Sequence, residues 1–381
     1  MTDALFAGIM SGTSLDGVDA VVAAFSEASP LTCQLLGNAF VPFPPTLRET
    51  LLALQQSGDD ELAHSARAAN ALADLYAQAT RDAAKQADVE VTWLRAVGIH
   101  GQTVRHCPNE AWSCQLNNPA RVAEHLSVDV VADFRSRDLA AGGQGAPLVP
   151  AFHAAMFGSA SKHRAIVNIG GIANLTDLPP HGAITGFDIG PGNVLLDAWY
   201  ARNRAPHQKE WFDRDGAWAT SGKVSQALLE ALLSEPFFKK PPPKSTGRDL
   251  FHSAWLASHL ASFPSLSPVD VQATLLQLTA TTIAAAVSKE AAEEIYVCGG
   301  GAYNTALMNA LVALLTPRVV KATDALGVSA QHVEALAFAW LARETLARRP
   351  GNLPAVTGAQ GARILGAIYP GRGSHRGRCD D

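Results

Sequence analysis

The sequence predicts an α/β protein built from two similar domains that face each other across a cleft. The chain has 381 residues, which is too long for one ordinary hydrophobic core and suits two domains of typical size. Strand-like runs separated by Gly-rich turns open the chain and recur from about residue 165, and helical segments follow each set. The recurrence favours a duplicated α/β unit. Strand-turn-strand units are common, so coincidence remains the alternative.

In the first half of the chain, apolar runs bounded by glycine or polar turns predict strands. They lie at residues 4–10, 18–25, 33–40, 96–100, 113–116 and 128–133. Helices are predicted at residues 46–56, at 62–87 and near 150–157. The second of these is rich in alanine and carries Leu72, Leu75 and Ala79 on one face, which is typical of an amphipathic helix.

The second half begins with three strands and then becomes mostly helical. The strands are predicted at residues 165–169, 173–177, 184–188 and 294–298, and the helices at 222–233, 270–288, 304–315 and 332–346. A proline-rich linker at 236–243 is expected on the surface. The predicted first domain comprises residues 1–131 and about 350–369, and the second comprises 132–349. Residues 370–381 are basic and Gly-rich, which predicts a disordered tail.

Composition excludes several classes of function. The chain has 30 Lys and Arg and 35 Asp and Glu, which gives a net charge of -5. Its body lacks a basic stripe interleaved with aromatic residues, so a nucleic-acid partner is not expected. No run approaches the roughly 20 apolar residues of a membrane helix. The N-terminus lacks a signal-peptide pattern, so a cytoplasmic protein is expected. Five scattered cysteines without C-x-x-C spacing indicate neither a disulfide framework nor a structural zinc site.

Residues 8–17, Gly-Ile-Met-Ser-Gly-Thr-Ser-Leu-Asp-Gly, form the first candidate site. Glycines at 8, 12 and 17 permit a tight turn, and the hydroxyl side chains add donors, so the turn can wrap N–H groups around phosphate oxygens. Asp16 can hold a water on Mg²⁺, which prefers carboxylate and phosphate oxygens. An ordinary hairpin rich in turn residues is the alternative. The residues predicted to bind nucleotide phosphates are Ser11, Gly12, Thr13, Ser14, Leu15, Asp16, Gly17, Val18 and Asp19.

A second Gly-rich turn, with Gly170 and Gly171, begins the second half, and the run Gly-Phe-Asp-Ile-Gly-Pro-Gly-Asn follows at 186–193. The second turn is expected to face the first. Asp188 ends an apolar strand, and the glycines beside it open space, so its carboxylate is a candidate general base. The alternative, a cap for a helix beginning at Val194, is weaker because Asn193 lies closer to that role.

A third Gly-rich segment follows the predicted strand at 294–298. Bare backbone at Gly299, Gly300 and Gly301 can form a flat floor for a nucleotide base or ribose, and Asn304 can cap the next helix. Taken alone, this signal is weak. A P-loop is excluded because Gly216 to Lys223 has the wrong spacing.

Other polar clusters follow strands or open helices and resemble substrate ligands. Arginine forks suit a carboxylate. A zinc site at His100, His106 and Cys107 lacks a fourth ligand at normal spacing. The predicted substrate-binding residues are His100, Gln102, Arg135, Arg137, Asn193 and Glu334.

Six motifs occur in order between about residues 6 and 366, and together they resemble the anhydro-N-acetylmuramic acid kinase family. The motifs are G-x-M-S-G-T-S-x-D-G at 8–17, G-x-H-G-Q-T-x-R-H at 98–106, D-F-R-x-R-D with A-G-G-Q-G-A-P-L-V-P at 133–150, N-I-G-G at 168–171, F-D-x-G-P-G-N at 187–193 and C-G-G-G-x-x-N at 298–304. The resemblance implies two actin-like, ribonuclease H-like domains flanking an ATP-binding cleft, a homodimer and a role in bacterial cell-wall recycling.

The resemblance also implies a coupled reaction, in which 1,6-anhydro-N-acetylmuramate, ATP and water give N-acetylmuramate 6-phosphate and ADP. The intramolecular bridge leaves no free 6-hydroxyl, so water must open it, and Asp188 is the base implied by the matching motif. Mg²⁺ and the turn at residues 11–14 would stabilise charge on the transferred phosphoryl group. Two rivals are an ordinary hydroxyl kinase of the same fold and an ATP-driven clamp, which would need a long peptide-binding region beyond residue 370.

Overall fold

A computed structural model describes residues 3–12, 15–26, 31–205, 210–242, 244–247 and 250–372. The chain divides into two compact units. Unit 1 comprises Met1–Met156 and His332–Asp381, and unit 2 comprises Phe157–Gln331. Within the described residues, no helix is both long and apolar enough to cross a membrane.

Unit 1 is built on a six-stranded sheet with a separate two-stranded hairpin. The sheet strands are β1 (Ala4–Met10), β2 (Gly17–Phe25), β3 (Cys33–Pro42), β4 (Ala96–Ile99), β7 (Val130–Ala132) and β13 (Ala367–Tyr369), and the hairpin strands are β5 (Gln102–Cys107) and β6 (Trp112–Leu116). The helices are α1 (Pro45–Ala53), α2 (Glu61–Gln86), α3 (Pro119–Leu126), α4 (Ser136–Ala140), α5 (Val149–Phe157), which ends at the unit boundary, α11 (Val333–Leu346) and α12 (Pro354–Thr357).

Helices α2 and α11 both pack on the sheet of unit 1. Of the residues predicted on the apolar face of α2, Leu72 and Ala79 are fully buried and Leu75 is half-buried, and Tyr76 is fully buried beside them. The backbone of α11 lies directly against β1 and β4 at two glycines, Gly8 and Gly98, which have no side chain to hold the helix away. A Cβ at Gly8 would lie 1.9 Å from the Ala335 carbonyl oxygen, and one at Gly98 would lie 2.0 Å from that of Phe338. The two glycines therefore set how closely α11 approaches the sheet.

Unit 2 is built on a five-stranded sheet. Its strands are β8 (Arg164–Ile169), β9 (Ile172–Leu178), β10 (Thr185–Pro191), β11 (Glu294–Cys298) and β12 (Val319–Ala322), and its helices are α6 (Val194–Asn203), α7 (Gln226–Leu233), α8 (Ser253–Leu260), α9 (Pro268–Val287) and α10 (Thr305–Leu315). Helix α9 is buried on nearly every face and forms much of the core, as expected for a helix surrounded by other elements.

The two sheets have the same topology. The order β3-β2-β1-β4-β7 in unit 1 corresponds to β10-β9-β8-β11-β12 in unit 2. In each, the first two pairings are antiparallel and the last two are parallel. Each unit therefore has the strand order of a ribonuclease H-like domain. The predicted α/β class with two similarly built actin-like domains is confirmed.

The unit boundaries differ from the predicted domain boundaries of 131/132 and 349/350. Residues 132–156 and 332–349 belong to unit 1, because α11 packs on β1, β2 and β4 and supplies part of their core. Strand β13 then pairs with β7. Of the predicted tail at 370–381, Gly371 donates to Asp129 Oδ1 over 2.9 Å and Arg372 pairs with Glu124. Residues 373–381 lie outside the described part of the chain.

Local capping explains several helix ends that the sequence placed differently. The helix predicted at 222–233 begins only at Gln226, because the Ser225 side chain accepts a hydrogen bond from the N–H of Leu228. Ser267 caps α9 in the same way. The predicted surface linker at 236–243 contains the short helix Pro236–Lys239, whose Phe237 is buried in the core of unit 2.

We expect Gly98→Ala to destabilise the protein by about 1–3 kcal/mol, since the new methyl group would overlap the α11 backbone and force a shift of the helix. Urea unfolding measures the change. Gly58→Ala is the matched control, because a Cβ at Gly58 would meet nothing within 4 Å. Equal stabilities of the two variants would contradict the close packing of α11 on β4.

Candidate active site

The loop between β1 and β2 closes tightly and buries part of its own sequence. The N–H of Leu15 donates to the Gly12 carbonyl over 3.3 Å, and Leu15 has a positive φ of 56°. The side chains of Leu15 and Val18 lie in the core. If these two predicted phosphate-binding residues contact a ligand, they do so through their backbone. Thr13 and Ser14 lie outside the described residues.

Ser11 points into the protein rather than outward as a hydroxyl donor for phosphate. Its Oγ lies 2.9 Å from the hydroxyl oxygen of Tyr76 on α2, and both residues are buried. Burial raises the pKa of the Tyr76 phenol above its usual value and the Ser11 contact opposes this rise, so the phenol stays neutral. The predicted role of the Ser11 side chain is therefore corrected. It ties the loop to the longest helix of unit 1.

The flanking glycines Gly8 and Gly17 also serve packing. Gly8 lies inside β1 against α11, and a Cβ at Gly17 would lie 2.5 Å from the Val41 carbonyl oxygen on β3. Gly8 therefore lies in β1 and not in the turn itself, and close ligand approach at Gly17 stays a prediction. Gly17 N–H donates to Asp16 Oδ1 over 3.0 Å, so the turn presents an exposed carboxylate at its end.

Three carboxylates from distant parts of the sequence influence one another beside this turn. Asp19 on β2 is half-buried, and its pKa is raised to about 7 by burial and by the negative charges of Asp16 and Glu334. Glu334 is in the first turn of α11. The structure thus places Asp16 and Asp19, which were predicted to bind phosphate, within electrostatic range of Glu334, which was predicted to bind substrate. Among the described residues, no group of three His, Cys, Asp or Glu side chains could by itself hold a metal ion.

Gln102 and His100 connect the start of β5 to this turn and to Arg135. The Gln102 amide donates to the Gly12 carbonyl oxygen over 3.1 Å, and its side chain is fully buried. Arg135 Nη2 lies 2.7 Å from His100 Nε2. Because arginine can only donate, Nε2 accepts and the His100 proton lies on Nδ1. Burial and then Arg135 hold the pKa of His100 well below its usual value, so this imidazole is neutral.

Arg135 is held in place from its other side by the loop that follows α4. Its Nη1 donates to the Gly145 carbonyl oxygen over 2.7 Å. Burial lowers the pKa of Arg135 to about 10, with Glu334 and Asp138 opposing the change, and the guanidinium stays charged at neutral pH. Arg137 is exposed on α4. Of the two predicted carboxylate-binding arginines, Arg135 therefore has the fixed geometry.

Asp138 supports that loop, although the sequence grouped it with the candidate substrate ligands. Its carboxylate is fully buried and accepts hydrogen bonds from the Gly145 N–H at 2.8 Å, the Asn352 amide at 2.6 Å and the Thr357 hydroxyl at 2.8 Å. Asp138 therefore joins the loop to the C-terminal segment. In the D-F-R-x-R-D motif Asp138 follows Arg135 by three residues, which places Arg135 at the N-cap of α4 and Asp138 in its first turn.

In unit 2, a β-bulge sets the position of Asp188. Asp188 pairs with Asn174, but Gly190 already pairs with Ala173, so Ile189 is an extra residue in β10. Gly190 has a φ of 154°, and a Cβ there would lie 2.6 Å from the Phe238 ring. The bulge shifts the register of β10 against β9 directly after the predicted base, and pairing resumes at Gly190 and Pro191.

Residues 244–247, which the sequence had not assigned to the site, hold Asp188 through two backbone hydrogen bonds. Asp188 N–H donates to the Lys244 carbonyl oxygen over 3.1 Å, and the Thr246 N–H donates to Asp188 Oδ2 over 3.0 Å. Burial raises the pKa of Asp188 to about 6, while the Thr246 N–H and then the Lys244 charge oppose the rise. This carboxyl group can therefore exchange a proton near neutral pH.

The Gly170–Gly171 turn is bonded to the segment after β10. The N–H groups of Gly192 and Val194 donate to the Gly171 carbonyl, and that of Asn193 donates to the Gly170 carbonyl. The Asn193 side chain donates to the Ile169 carbonyl over 3.1 Å and does not cap α6. The side-chain cap predicted at Asn193 is therefore absent, and its role as a substrate ligand stays a prediction.

The Gly299–Gly301 segment packs against the end of β8. A Cβ at Gly299 would lie 2.4 Å from Asn168 Oδ1 and one at Gly301 would lie 2.3 Å from Ile169 Cγ2, whereas Gly300 has more space. Asn304 accepts from the Leu307 N–H over 3.0 Å, which confirms it as the N-cap of α10. Gly300 is therefore the most open of the three glycines.

We expect Ser11→Ala to cost about 1–3 kcal/mol, because it leaves the buried Tyr76 hydroxyl without its partner. The Ser11→Ala/Tyr76→Phe double variant removes both hydroxyls and should be less destabilised than the sum of the two single variants, by about 1 kcal/mol. Urea unfolding of the four proteins measures this coupling. Strictly additive effects would contradict the contact.

Comparison with known proteins places these residues in a family. The family model described as Anhydro-N-acetylmuramic acid kinase matches residues 4–371. Anhydro-N-acetylmuramic acid kinase of Paraburkholderia xenovorans (strain LB400) is 52% identical over 375 residues, covering 97% of this chain and 98% of that protein. The protein of the same name from Bordetella avium (strain 197N) is 55% identical over 370 residues, covering 96% of each.

A solved structure gives a more distant likeness. The activator of the 2-hydroxyisocaproyl-CoA dehydratase from Clostridium difficile with bound ADPNP has a TM-score of 0.47 and 11% identity, covering 90% of this chain and 97% of that chain. That similarity is too low to bear on function. The full-length family match and the close relatives decide the assignment: this chain belongs to the anhydro-N-acetylmuramic acid kinase family.

Proposed function

We propose that this protein is an ATP-dependent kinase that opens the 1,6-anhydro ring of 1,6-anhydro-N-acetylmuramate and phosphorylates the same sugar at O6. Relatives that are at least 50% identical to this chain over nearly their whole length are named anhydro-N-acetylmuramic acid kinase. The observation that carries the mechanism is the Asp188 carboxyl group. Its Oδ2 is held by the Thr246 N–H, and no other hydrogen bond to it is found in the described part of the chain.

The proposed reaction needs a base because the substrate has no free 6-hydroxyl group. Asp188 takes a proton from water while the water oxygen bonds to the anomeric carbon and the bond from that carbon to O6 breaks. The electron pair left on O6 attacks the γ-phosphorus of ATP, and ADP leaves with the electrons of the broken bond. The products are N-acetylmuramate 6-phosphate and ADP, and the proton on Asp188 returns to solvent.

Three backbone segments are proposed to bind the nucleotide. The β1–β2 loop and the start of β2, residues 11–19, would offer backbone N–H groups to phosphate oxygens. Gly170 and Gly171 would contribute the second turn, and residues 299–304 the surface for the base or ribose. Gly300 has the most space for such a contact. Ser11 contributes by shaping the loop, since its hydroxyl is engaged with Tyr76.

The sugar is proposed to bind to the polar residues around Arg135. Muramate carries a carboxylate, and a half-buried, charged and doubly anchored guanidinium is suited to bind it. His100 would help to orient Arg135, and Glu334 would accept from sugar hydroxyls. Arg137, Gln102 and Asn193 remain proposed substrate contacts. Gln102 and Asn193 are the weaker candidates, because their amide N–H groups already donate within the protein.

Mg²⁺ is proposed as the cofactor, held near Asp16. Mg²⁺ commonly binds one or two carboxylates together with substrate phosphates and waters. Asp16 is an exposed carboxylate at the end of the β1–β2 loop, so a single water-mediated contact fits the residues present. When bound, the ion would neutralise negative charge on the phosphates. Asp16 would orient its water, and the loop N–H groups would hold the phosphates.

The biological setting proposed is bacterial cell-wall recycling by a homodimer in the cytoplasm. The substrate is a fragment of peptidoglycan, and ATP is supplied inside the cell. The four cysteines that the structure describes are free thiols, which agrees with a reducing compartment. An ordinary hydroxyl kinase is the rival function. It would add phosphate without adding water.

We expect Asp188→Asn to bind ATP but to lose about 10²–10⁴-fold in turnover, because an amide cannot accept the proton of water. Wild-type protein is incubated with 1,6-anhydro-N-acetylmuramate, Mg²⁺ and ATP, and the product is analysed by mass spectrometry. A mass gain of both phosphate and water supports the coupled reaction. Near-normal turnover of the variant would refute the assignment of the base, and an unmodified sugar would refute the substrate.

We expect Asp16→Ala to raise the Mg²⁺ concentration needed for half-maximal activity and to raise KM for ATP, since a ligand to the hydrated ion is lost. Titration of activity with Mg²⁺ at fixed ATP measures the shift. Asp59→Ala is a control on an exposed carboxylate of the α1–α2 connection. An Mg²⁺ dependence unchanged from wild type would remove Asp16 from the proposed metal site.

A further inference from the structure

We propose that residues 244–247 are a positioning strap for Asp188, with Lys244 as its anchor. In this proposal, the backbone N–H of Thr246 occupies Oδ2 of the carboxyl group and leaves Oδ1 to accept the proton from water. The inference rests on the proposed role of Asp188 as base. It assigns a function to a segment that lies outside the family motifs on which the sequence interpretation depended.

The strap fixes Asp188 at both its backbone and its side chain. The Asp188 N–H donates to the Lys244 carbonyl, and the Thr246 N–H returns a hydrogen bond to the carboxylate. A residue bonded at both ends by the same short segment has little freedom to rotate about its side-chain torsions. The two bonds therefore define which carboxyl oxygen is engaged. Oδ1 is left without a hydrogen bond from the described residues.

Lys244 attaches the strap to the aromatic core of unit 2. Its Nζ donates to the Phe237 carbonyl over 3.3 Å, and it lies 4.6 Å from the Phe237 ring centroid and 5.9 Å from that of Phe187. Both rings are almost completely buried. An ammonium group over aromatic faces and bonded to a carbonyl is held by several weak attractions together. Phe187 also precedes Asp188 in β10, so the anchor lies beside the base.

The strap also sets the charge state of Asp188. Burial raises the carboxyl pKa, and the Thr246 N–H and the Lys244 charge partly reverse this rise. Within the described part of the chain, Lys244 is the charged group that acts on Asp188, and Lys289 acts in turn on Lys244. Loss of either strap contact disfavours the carboxylate, so the pKa must rise further. The base would then be protonated over a wider range of pH.

The Thr246 side chain is not needed for these contacts. Its Oγ1 is buried and finds no hydrogen-bond partner among the described residues, whereas its N–H carries the bond to Asp188. A substitution that keeps the N–H can therefore be compared with one that removes it. Thr246→Ala and Thr246→Pro form this matched pair, since proline has no backbone N–H.

The test is the pH dependence of kcat/KM for 1,6-anhydro-N-acetylmuramate at saturating ATP. In the wild type, kcat/KM should fall as pH drops below about 6, where Asp188 becomes protonated. For Thr246→Pro we expect this acidic limb to move up by about one pH unit, with kcat reduced about 10-fold or more. For Thr246→Ala the limb should stay at the wild-type pH. Asp19→Asn, run in parallel, identifies any titration of Asp19, whose pKa is about 7.

Lys244→Met is the second variant, which keeps the apolar stem and removes the charge. It should shift the limb in the same direction as Thr246→Pro and leave KM for ATP within about twofold of wild type, because its effect acts through the base. Thermal unfolding is measured for each variant. A limb that stays in place in both Thr246→Pro and Lys244→Met, with only kcat or the melting temperature lowered, would overturn the proposal in favour of a structural role.

The failure of this proposal is distinguishable from failure of the proposed function. If Asp188→Asn keeps near-normal turnover, Asp188 is not the base and the strap has no base to position. If Asp188→Asn is inactive while the acidic limb of Thr246→Pro and Lys244→Met matches that of wild type, the base assignment stands and the strap proposal fails. If the limb moves in both and stays in Thr246→Ala, the strap is supported.

Discussion

The close approach of α11 to the sheet of unit 1 is the constraint on which the polar cluster of that unit depends. Gly8 and Gly98 remove the side chains that would hold the helix away. Since Glu334 is in the first turn of α11, the depth of this helix decides whether its carboxylate lies within electrostatic reach of Asp19 and Arg135. Gly8 and Gly98 thus set the distance of the Glu334 charge from Asp19 and Arg135, although neither glycine contributes a polar side chain to the site.

The two units share a strand order but hold their candidate functional groups by different means. In unit 1, buried side chains hold a loop, as the Ser11 contact with Tyr76 and the Gln102 contact with Gly12 illustrate. In unit 2, backbone groups hold a side chain, because both bonds to Asp188 come from the main chain. Backbone contacts depend little on side-chain identity. This difference explains why the supports of unit 1 contribute to sequence motifs whereas residues 244–247 do not.

Most strands of both sheets and the repetition of the α/β unit followed from the sequence, because apolar runs between Gly-rich turns have few alternatives. Strands β12 and β13 and the hairpin strand β5 were missed, since a strand of three or four residues or a polar segment gives little signal. The sequence predicted which residues belong to the site but not the direction in which their side chains point. Ser11 and Asn193 are polar and belong to the expected motifs, yet their side chains face partners inside their own unit. Such partners are distant in sequence and leave no local pattern.

Unit 2 is an insertion within unit 1, and this has a consequence for the order in which the molecule can be assembled during synthesis. The last helix and last strand of the first sheet lie after residue 331, and the loop that holds Arg135 also needs Asn352 and Thr357 through Asp138. A ribosome releases these segments only after all of unit 2. Unit 2 can therefore fold as a contiguous piece while the earlier strands of unit 1 still await their final covering helix. The first residues made are among the last to reach their native packing.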